Sequence, residues 1–377
     1  MTRILIIGGY GFTGKLIARH LMEESGVEIV IAARHVDKAK AFVDDLNSEF
    51  AGSRASAVHA DAAEAKSLRD ALDGIDIMVV AAPTTKYSDI VIETALDHGT
   101  DYLDIQVSAR KLSLLKSFSS EIEERGLCFI TEAGFHPGLP SAMVRYAALR
   151  FERFKTAEVA GYLNMGKNLP FTEAVDEVME IFKSYQTHTF RDGKWTEQGG
   201  FKSHKVNFGG EIGTRNCYPM FFEEMRDLPA MYPTLTCTGF YMSGTNWFVD
   251  WLLTPVVLVG LKVAPIKAVR PMGKLLWWGW RTFSRPPCLC LVRVEATGTR
   301  DGGTQSIIAT VSHRDGYELT AIPVVATLLQ YLDGSARKPG LWMMGHLAEP
   351  TRLFNDMRKM GVTVTASMNS KQVDRDD

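Results

Sequence analysis

The stretch Ile4-Leu5-Ile6-Ile7-Gly8-Gly9-Tyr10-Gly11-Phe12-Thr13-Gly14, followed by Lys15–Met22, decides the fold. Four consecutive apolar residues predict a buried strand, the glycines a tight turn, and Lys15–Met22 an amphipathic helix folded back on that strand. A second apolar run, Glu28–Ala32, completes a βαβ unit. Two glycine registers fit, Gly9-x-Gly11-x-x-Gly14 and Gly8-x-x-Gly11-x-x-Gly14. In both, Gly11 lets the main chain approach a pyrophosphate and Gly14 lets the helix lie close to the strand. The N–H groups that open the helix then face anionic phosphates. Glycine turns are common, and this one gains its weight from the strand before it, the helix after it and the second strand behind. Gly8, Gly9, Tyr10, Gly11, Phe12, Thr13 and Gly14 are therefore the expected phosphate-binding set.

The same rhythm continues for about 130 residues. Apolar runs at Ala55–Ala60, Asp76–Ala82, Tyr102–Ile105 and Leu127–Ile130 alternate with helix-like spacers at Val36–Phe50, Ala63–Leu72, Ser88–His98 and Ser108–Arg125. Strands that alternate with helices pair in parallel, so an α/β, Rossmann-type doubly wound parallel sheet is expected over 1–133. Near-continuous apolar strands such as Ile77-Met78-Val79-Val80 suit a sheet covered on both faces. The Gly/Pro cluster from Ala133 to Pro140 breaks the pattern and marks a domain boundary. Beyond it a second, α+β domain is expected over 134–340. Strand candidates beyond the boundary are Glu158–Leu163, Thr187–Phe190, Leu291–Ala296 and Ser306–Ser312; helical stretches there include Glu173–Lys183 and Tyr317–Leu332, with Pro350–Lys359 past residue 340. The polar tail from Ser367 is expected to fray.

The end of the second strand selects the cofactor. NAD sites carry Asp or Glu there to hold the ribose hydroxyls. This chain reads Ile31-Ala32-Ala33-Arg34-His35, with no carboxylate until Asp37. The planar fork of Arg34 suits a 2′-phosphate, which favours NADP. Asp61 either accepts from the adenine amine or caps the helix Ala63–Leu72. The small residues Ala82-Pro83-Thr84 leave room for the cofactor at a strand's carboxyl end, or form an ordinary turn.

Length and composition exclude several classes. A chain of 377 residues, 46% hydrophobic and 23% charged, is an ordinary globular protein with room for two domains. Its net charge of −2 offers no footprint for nucleic acid. Five scattered cysteines without a C-x-x-C pair predict no metal site and a reducing, cytoplasmic setting. The amino terminus lacks the long apolar region of a signal peptide. Trp251–Leu261 is apolar, yet as a helix it would rise only about 16 Å, roughly half of a bilayer core. It cannot span one.

Short-chain dehydrogenases place a lysine four residues past a catalytic tyrosine to lower its pKa. None of the eleven tyrosines here is so followed; Tyr102 leads to Gln106 and Tyr146 to Arg150. The glycine loop, Ala33-Arg34, Asp101-Tyr102-Leu103-Asp104 and Gly134-Phe135-His136-Pro137-Gly138 together resemble the saccharopine dehydrogenase-like (saccharopine reductase) family. Asn216-Cys217-Tyr218-Pro219, Arg314-Asp315-Gly316-Tyr317-Glu318 and the helix Glu349–Met360 agree with it. The resemblance implies a Rossmann domain, a substrate-bearing second domain, a C-terminal segment (341–377) returning to the first, and a homodimer. It also implies hydride transfer between NADP(H) and a small-molecule amine, imine or amino-acid substrate. Enoyl reductases of lipid pathways and orphan oxidoreductases belong to the same family, so a lipophilic substrate at a membrane, or a non-catalytic NADP-binding role, are the alternatives. An imine reductase needs a proton donor for nitrogen and cations for substrate carboxylates. His136 in the turn is the candidate for the first, Arg215 for the second.

Trp247–Leu261 and Leu275–Phe283 hold five of the seven tryptophans, ringed by Lys262, Lys267, Arg270, Lys274, Arg281 and Arg285. Three readings fit 247–285: a core or dimer-interface helix pair, a helix pair lying on a membrane surface, and an apolar wall for a lipophilic substrate.

Overall fold

The structure, a computed structural model, describes residues 1–167, 171, 174–199 and 202–370. They form two compact units, the first made of 1–138 and 317–360, the second of 139–316 and the chain from Gly361 onward.

In the first unit six strands, β1 (Arg3–Ile7), β2 (Glu28–Ala33), β3 (Ala55–His59), β4 (Ile77–Val80), β5 (Asp101–Asp104) and β6 (Cys128–Thr131), alternate with helices. A seventh strand, Gly340–Met343, pairs with β6, and the order runs from it through β6, β5, β4, β1 and β2 to β3. Every pairing is parallel. Helices cover both faces, which is why β4 and most of β1 are buried without alternation. The order reverses between β1 and β4. That switch point opens a crevice beyond the carboxyl ends of the two strands, where doubly wound sheets bind ligands.

The returning segment begins earlier than the expected 341 and stops short of the terminus. Its helix, Gly316–Leu332, is apolar on nearly every side, with Leu319, Ile322, Val324, Val325 and Leu328 essentially inaccessible. Such a helix must be enclosed. The Asp101 carboxylate, 1% exposed, pins the segment to β5 by accepting from Tyr331 Oη (2.7 Å) and Arg337 Nε (2.9 Å). After Met360 the chain leaves this unit.

The second unit is built on a mixed sheet. Its strands are β7 (Arg153–Asn164), β8 (His188–Arg191), β9 (Lys194–Glu197), β10 (His204–Asn207), β11 (Thr214–Met220), β12 (Cys237–Ser243), β13 (Leu289–Arg300) and β14 (Gly303–His313). The order is β10-β11-β12-β7-β13-β14, closed at the edge by the last strand, Thr363–Ser370. β12 runs parallel to β7, whereas β13 pairs antiparallel with β7 on the other side and β14 antiparallel with β13. The helix Leu139–Ala148, almost wholly buried, packs on β7 and β13.

Residues 367–370, expected to fray, instead continue a strand that pairs with β14 from Gln305↔Ser370 to Ser312↔Thr363. The backbone ladder, not an apolar face, holds this polar strand. The rest of the expected tail and Glu173, the expected first residue of a helix observed as Ala174–Lys183, lie outside the described residues.

Candidate functional site

The turn after β1 is the tightest point of the first unit. Gly8 has a positive φ of 79°, and a Cβ on it would meet Ala82 Cβ at 2.7 Å. A Cβ on Gly14 would overlap the Gly8 carbonyl oxygen and lie 2.8 Å from Gly9 Cα. Both positions accept hydrogen only. Since Gly8, and neither Gly9 nor Gly11, takes the left-handed conformation, the register with Gly8, Gly11 and Gly14 describes the turn. Gly9 matters through packing, because a Cβ there would meet Ile31 Cδ1 at 2.7 Å.

The helix Phe12–Glu24 starts at Gly11 with no side-chain cap and no acidic residue in its first turn. Its leading N–H groups face outward at the crevice with their partial positive charge uncompensated by the chain. A glycine cradle of this kind fits a dinucleotide pyrophosphate. Tyr10 and Thr13 are half-buried beside it. Phe12, 57% exposed, stacks on Tyr317 with ring centroids 5.2 Å apart. Tyr317 was not legible as a site neighbour, since more than 300 residues of chain separate the two rings.

Arg34 stands just past β2, whose Ala32 accepts from Gly8 N–H (3.3 Å). It is exposed, and no hydrogen bond ties down its guanidinium among the described residues. Asp61 Oδ1 accepts from Ala63 N–H (2.9 Å), closing a turn of its own. The following helix is Ala65–Ala71, preceded by Glu64, so Asp61 is not its N-cap. The helix starts later than the expected Ala63 because this turn consumes the intervening residues.

Ala82, Pro83 and Thr84 lie across the switch point from Gly8. Sequence inspection missed the residue that holds them: Gln106, 3% exposed, donates from Nε2 to Ala82 O (2.6 Å) and Thr84 Oγ1 (2.8 Å). Gln106 is fixed in turn by Lys111, whose Nζ donates to Gln106 O (2.6 Å), Asp104 Oδ1 (2.6 Å) and Thr131 Oγ1 (2.8 Å). Lys111 and Asp104 have no exposed side-chain surface. The signal was present, because Asp104 ends a buried strand and a carboxylate there requires a partner. Burial and the neighbouring Asp104 push the Tyr102 phenol well above its ordinary range.

His136 follows Phe135, their rings 4.2 Å apart, and its Nε2 is buried. Burial lowers its pKa from 6.5 to about 4, so the imidazole is neutral at pH 7. Arg215 belongs to the second unit, on β11. Its Nε donates to Ile212 O (3.1 Å) and its guanidinium lies 5.9 Å from the Tyr162 ring centroid. The cofactor-set residues and His136 belong to the first unit, and Arg215 to the second.

An open concavity of about 540 Å³ in the first unit is lined by Thr2, Glu24, Val27, Asp333 and Arg352. It sits at the amino ends of β1 and β2, the wrong end of the sheet for a doubly wound ligand site. No group of three or more His, Cys, Asp or Glu among the described residues is arranged to hold a metal.

A glycine cradle at the switch point of an all-parallel sheet defines a dinucleotide-binding protein of the Rossmann class. Residues 4–126 match the family described as the saccharopine dehydrogenase NADP binding domain. A carboxyaminopropylagmatine dehydrogenase of Synechocystis sp. is 24% identical over 298 residues, 72% of this chain and 73% of that protein. A carboxynorspermidine synthase of Vibrio cholerae is 23% identical over 400 residues, 94% of each chain. The saccharopine dehydrogenase (L-Glu forming) of Saccharomyces cerevisiae, solved without ligand, shares the fold with a TM-score of 0.66 at 14% identity. That likeness covers 98% of this chain and 100% of the yeast one. Residues 4–126 thus carry an NADP-binding domain of the saccharopine dehydrogenase type, within a chain that shares the fold of the yeast enzyme.

Proposed function

We propose that this protein transfers hydride between NADP(H) and the C–N bond of an amine or amino-acid-type substrate, reducing an imine in one direction. The observation that carries the proposal is the glycine cradle beside an unencumbered Arg34 where NAD sites hold a carboxylate. The two relatives named above support the substrate class, because both names describe carboxylated amines.

In this reading the N–H groups of the Phe12–Glu24 helix and the loop Gly8–Gly14 hold the pyrophosphate. Arg34 grips the 2′-phosphate and Asp61, with one oxygen spent on Ala63, meets the adenine amine with the other. Ala82, Pro83 and Thr84, kept in place by Gln106, leave room at the nicotinamide end. When bound, the cofactor supplies the hydride; the chain orients substrate and manages the proton. Neutral His136 serves as a hydrogen-bonding group toward nitrogen. It is a poor store of a proton at pH 7, since its protonated form is about a thousandth of the population. Arg215, anchored through Nε, offers its terminal nitrogens to a substrate carboxylate.

Titration of intrinsic or NADPH fluorescence tests the cofactor half. NADPH should bind well ahead of NADH, and Arg34→Asp should erase that preference; an unchanged preference would remove Arg34 from the site. A panel of primary amines with carbonyl-bearing amino acids, run beside enoyl thioesters and ketones, tests the substrate half. NADPH consumption with the lipophilic set alone would favour the second reading, which the exposed apolar face at 247–283 motivates. The five cysteines are all free, in keeping with a reducing, cytoplasmic setting. A homodimer remains the proposal for assembly, to be read by sedimentation equilibrium.

A further inference from the structure

The helices Thr254–Val263 and Val269–Phe283, preceded by a π-helical turn at Val249–Leu253, take no part in the chemistry proposed above. They pack on Ala174–Lys183 through Val249, Leu253, Val257, Leu261 and Leu276. Gly279 allows the close approach, because a Cβ there would overlap Leu253 Cδ1. This inward face is enough to hold the pair in the fold.

The outward face is apolar as well. Leu252, Val256, Val259 and Val263 recur at i, i+4, i+7 and i+11, which is one line along a helix. They are 48%, 53%, 61% and 79% exposed, and Ile266 at the turn reaches 86%. Trp247, Trp251 and Trp278 flank the line, also exposed. A helix at a protein surface ordinarily turns polar residues outward. Eight of the fourteen large hydrophobics exposed on the described residues fall in this one hairpin, so the patch is contiguous and not the usual scatter.

Charge identifies the occupant. Residues 247–285 carry six Lys or Arg and a single carboxylate, in a chain of net charge −2. The carboxylate, Asp250, is turned inward and accepts from Thr245 N–H (2.9 Å). Lys262, Lys267, Lys274 and Arg285 stand exposed around the apolar line. A second copy brought up through the same face would set these cations against their own counterparts. An anionic lipid surface complements both halves: acyl chains take the valines, and headgroups take the cations and the indole N–H groups. No helix of the described residues is long and apolar enough to cross a membrane, which leaves an orientation in the plane.

We propose that the 247–285 hairpin is a membrane-docking element that lays its Leu252–Val263 stripe into the interface of an anionic bilayer. The proposal is independent of the reaction assigned to the first unit.

Flotation of the full chain with vesicles tests it. The protein should float with phosphatidylcholine vesicles containing phosphatidylserine, far less with phosphatidylcholine alone, and be released by molar salt. Tryptophan emission should shift to shorter wavelength on binding. Val256→Asp/Val259→Asp should stay in the soluble fraction, and Lys262→Ala and Lys267→Ala should each weaken binding roughly fivefold. Melting temperature and NADPH affinity of each variant, unchanged, establish that it is folded. Absence of the wild-type chain from the anionic vesicle fraction would overturn the proposal. So would a dimer whose Trp247 and Trp251 are shielded from a soluble quencher in the absence of lipid, since a second copy would then own the face.

Discussion

Lys111→Met is expected to cost about 3 kcal/mol of unfolding free energy at pH 7 and to loosen the cofactor turn at the same time. The ammonium spends its protons on Asp104 Oδ1, Gln106 O and Thr131 Oγ1, all within 2.8 Å, and neither it nor Asp104 touches solvent. Methionine keeps the volume of the stem but strands a buried carboxylate. Breaking such a pair from one side costs about 3–5 kcal/mol. Asp104 retains the Thr131 hydroxyl (2.8 Å) and the Gln106 N–H (2.9 Å), which places the loss at the lower end. Urea unfolding of the wild type, the single variant and Lys111→Met/Asp104→Leu measures it. The double variant should regain most of the loss, because replacing both charges with apolar groups leaves nothing stranded. A loss below about 1 kcal/mol, or a double variant less stable than the single one, would refute this account of the pair.

Other predictions concern single positions. Gly14→Ala should destabilise the first unit by about 1–3 kcal/mol in urea unfolding and abolish NADPH binding, since its Cβ has backbone on two sides. Gln106→Leu should raise the NADPH dissociation constant roughly tenfold by freeing the Ala82–Thr84 turn, with a smaller effect on stability. His136, depressed from 6.5 to about 4, binds its proton more weakly folded than unfolded. Stability should therefore be complete above pH 6.5 and fall by up to about 3 kcal/mol as pH drops toward 4. His136→Gln, measured in urea across that window, should flatten this part of the profile.

The first sheet was readable because its signals are local. Apolar runs such as Ile77-Met78-Val79-Val80 appear only where both faces are covered, and their alternation with helices sets parallel order. The glycine loop is equally local: Gly8, Gly11 and Gly14 contact one another and the strand beside them. What escaped is what depends on distant chain. Gln106 reaches back to Ala82, Lys111 reaches forward to Thr131, and Tyr317 comes from the far end of the sequence to meet Phe12. The return at Tyr317 was hidden too, because an apolar helix announces burial but not where. In the second unit, β10 to β12 and the last strand have mixed polarity and are held chiefly by ladder hydrogen bonds. Pattern alone carries little of that. Asp61 shows the opposite case: a capping residue type in a plausible position whose hydrogen bond closes a turn instead.

In the proposed reaction the glycine cradle and Arg34 hold NADPH for hydride delivery to a C–N double bond. Deuterium transfer tests it most directly: NADPH labelled at C4 of the nicotinamide is incubated with the protein and an imine formed from a primary amine and a carbonyl-bearing amino acid. The account predicts a secondary amine carrying one deuterium on the carbon bonded to nitrogen, in amount equal to the NADPH consumed, and no such product with Gly14→Ala. A protein that binds NADPH yet leaves every imine of the panel unreduced, while it delivers the label to an enoyl or ketone substrate, would contradict it.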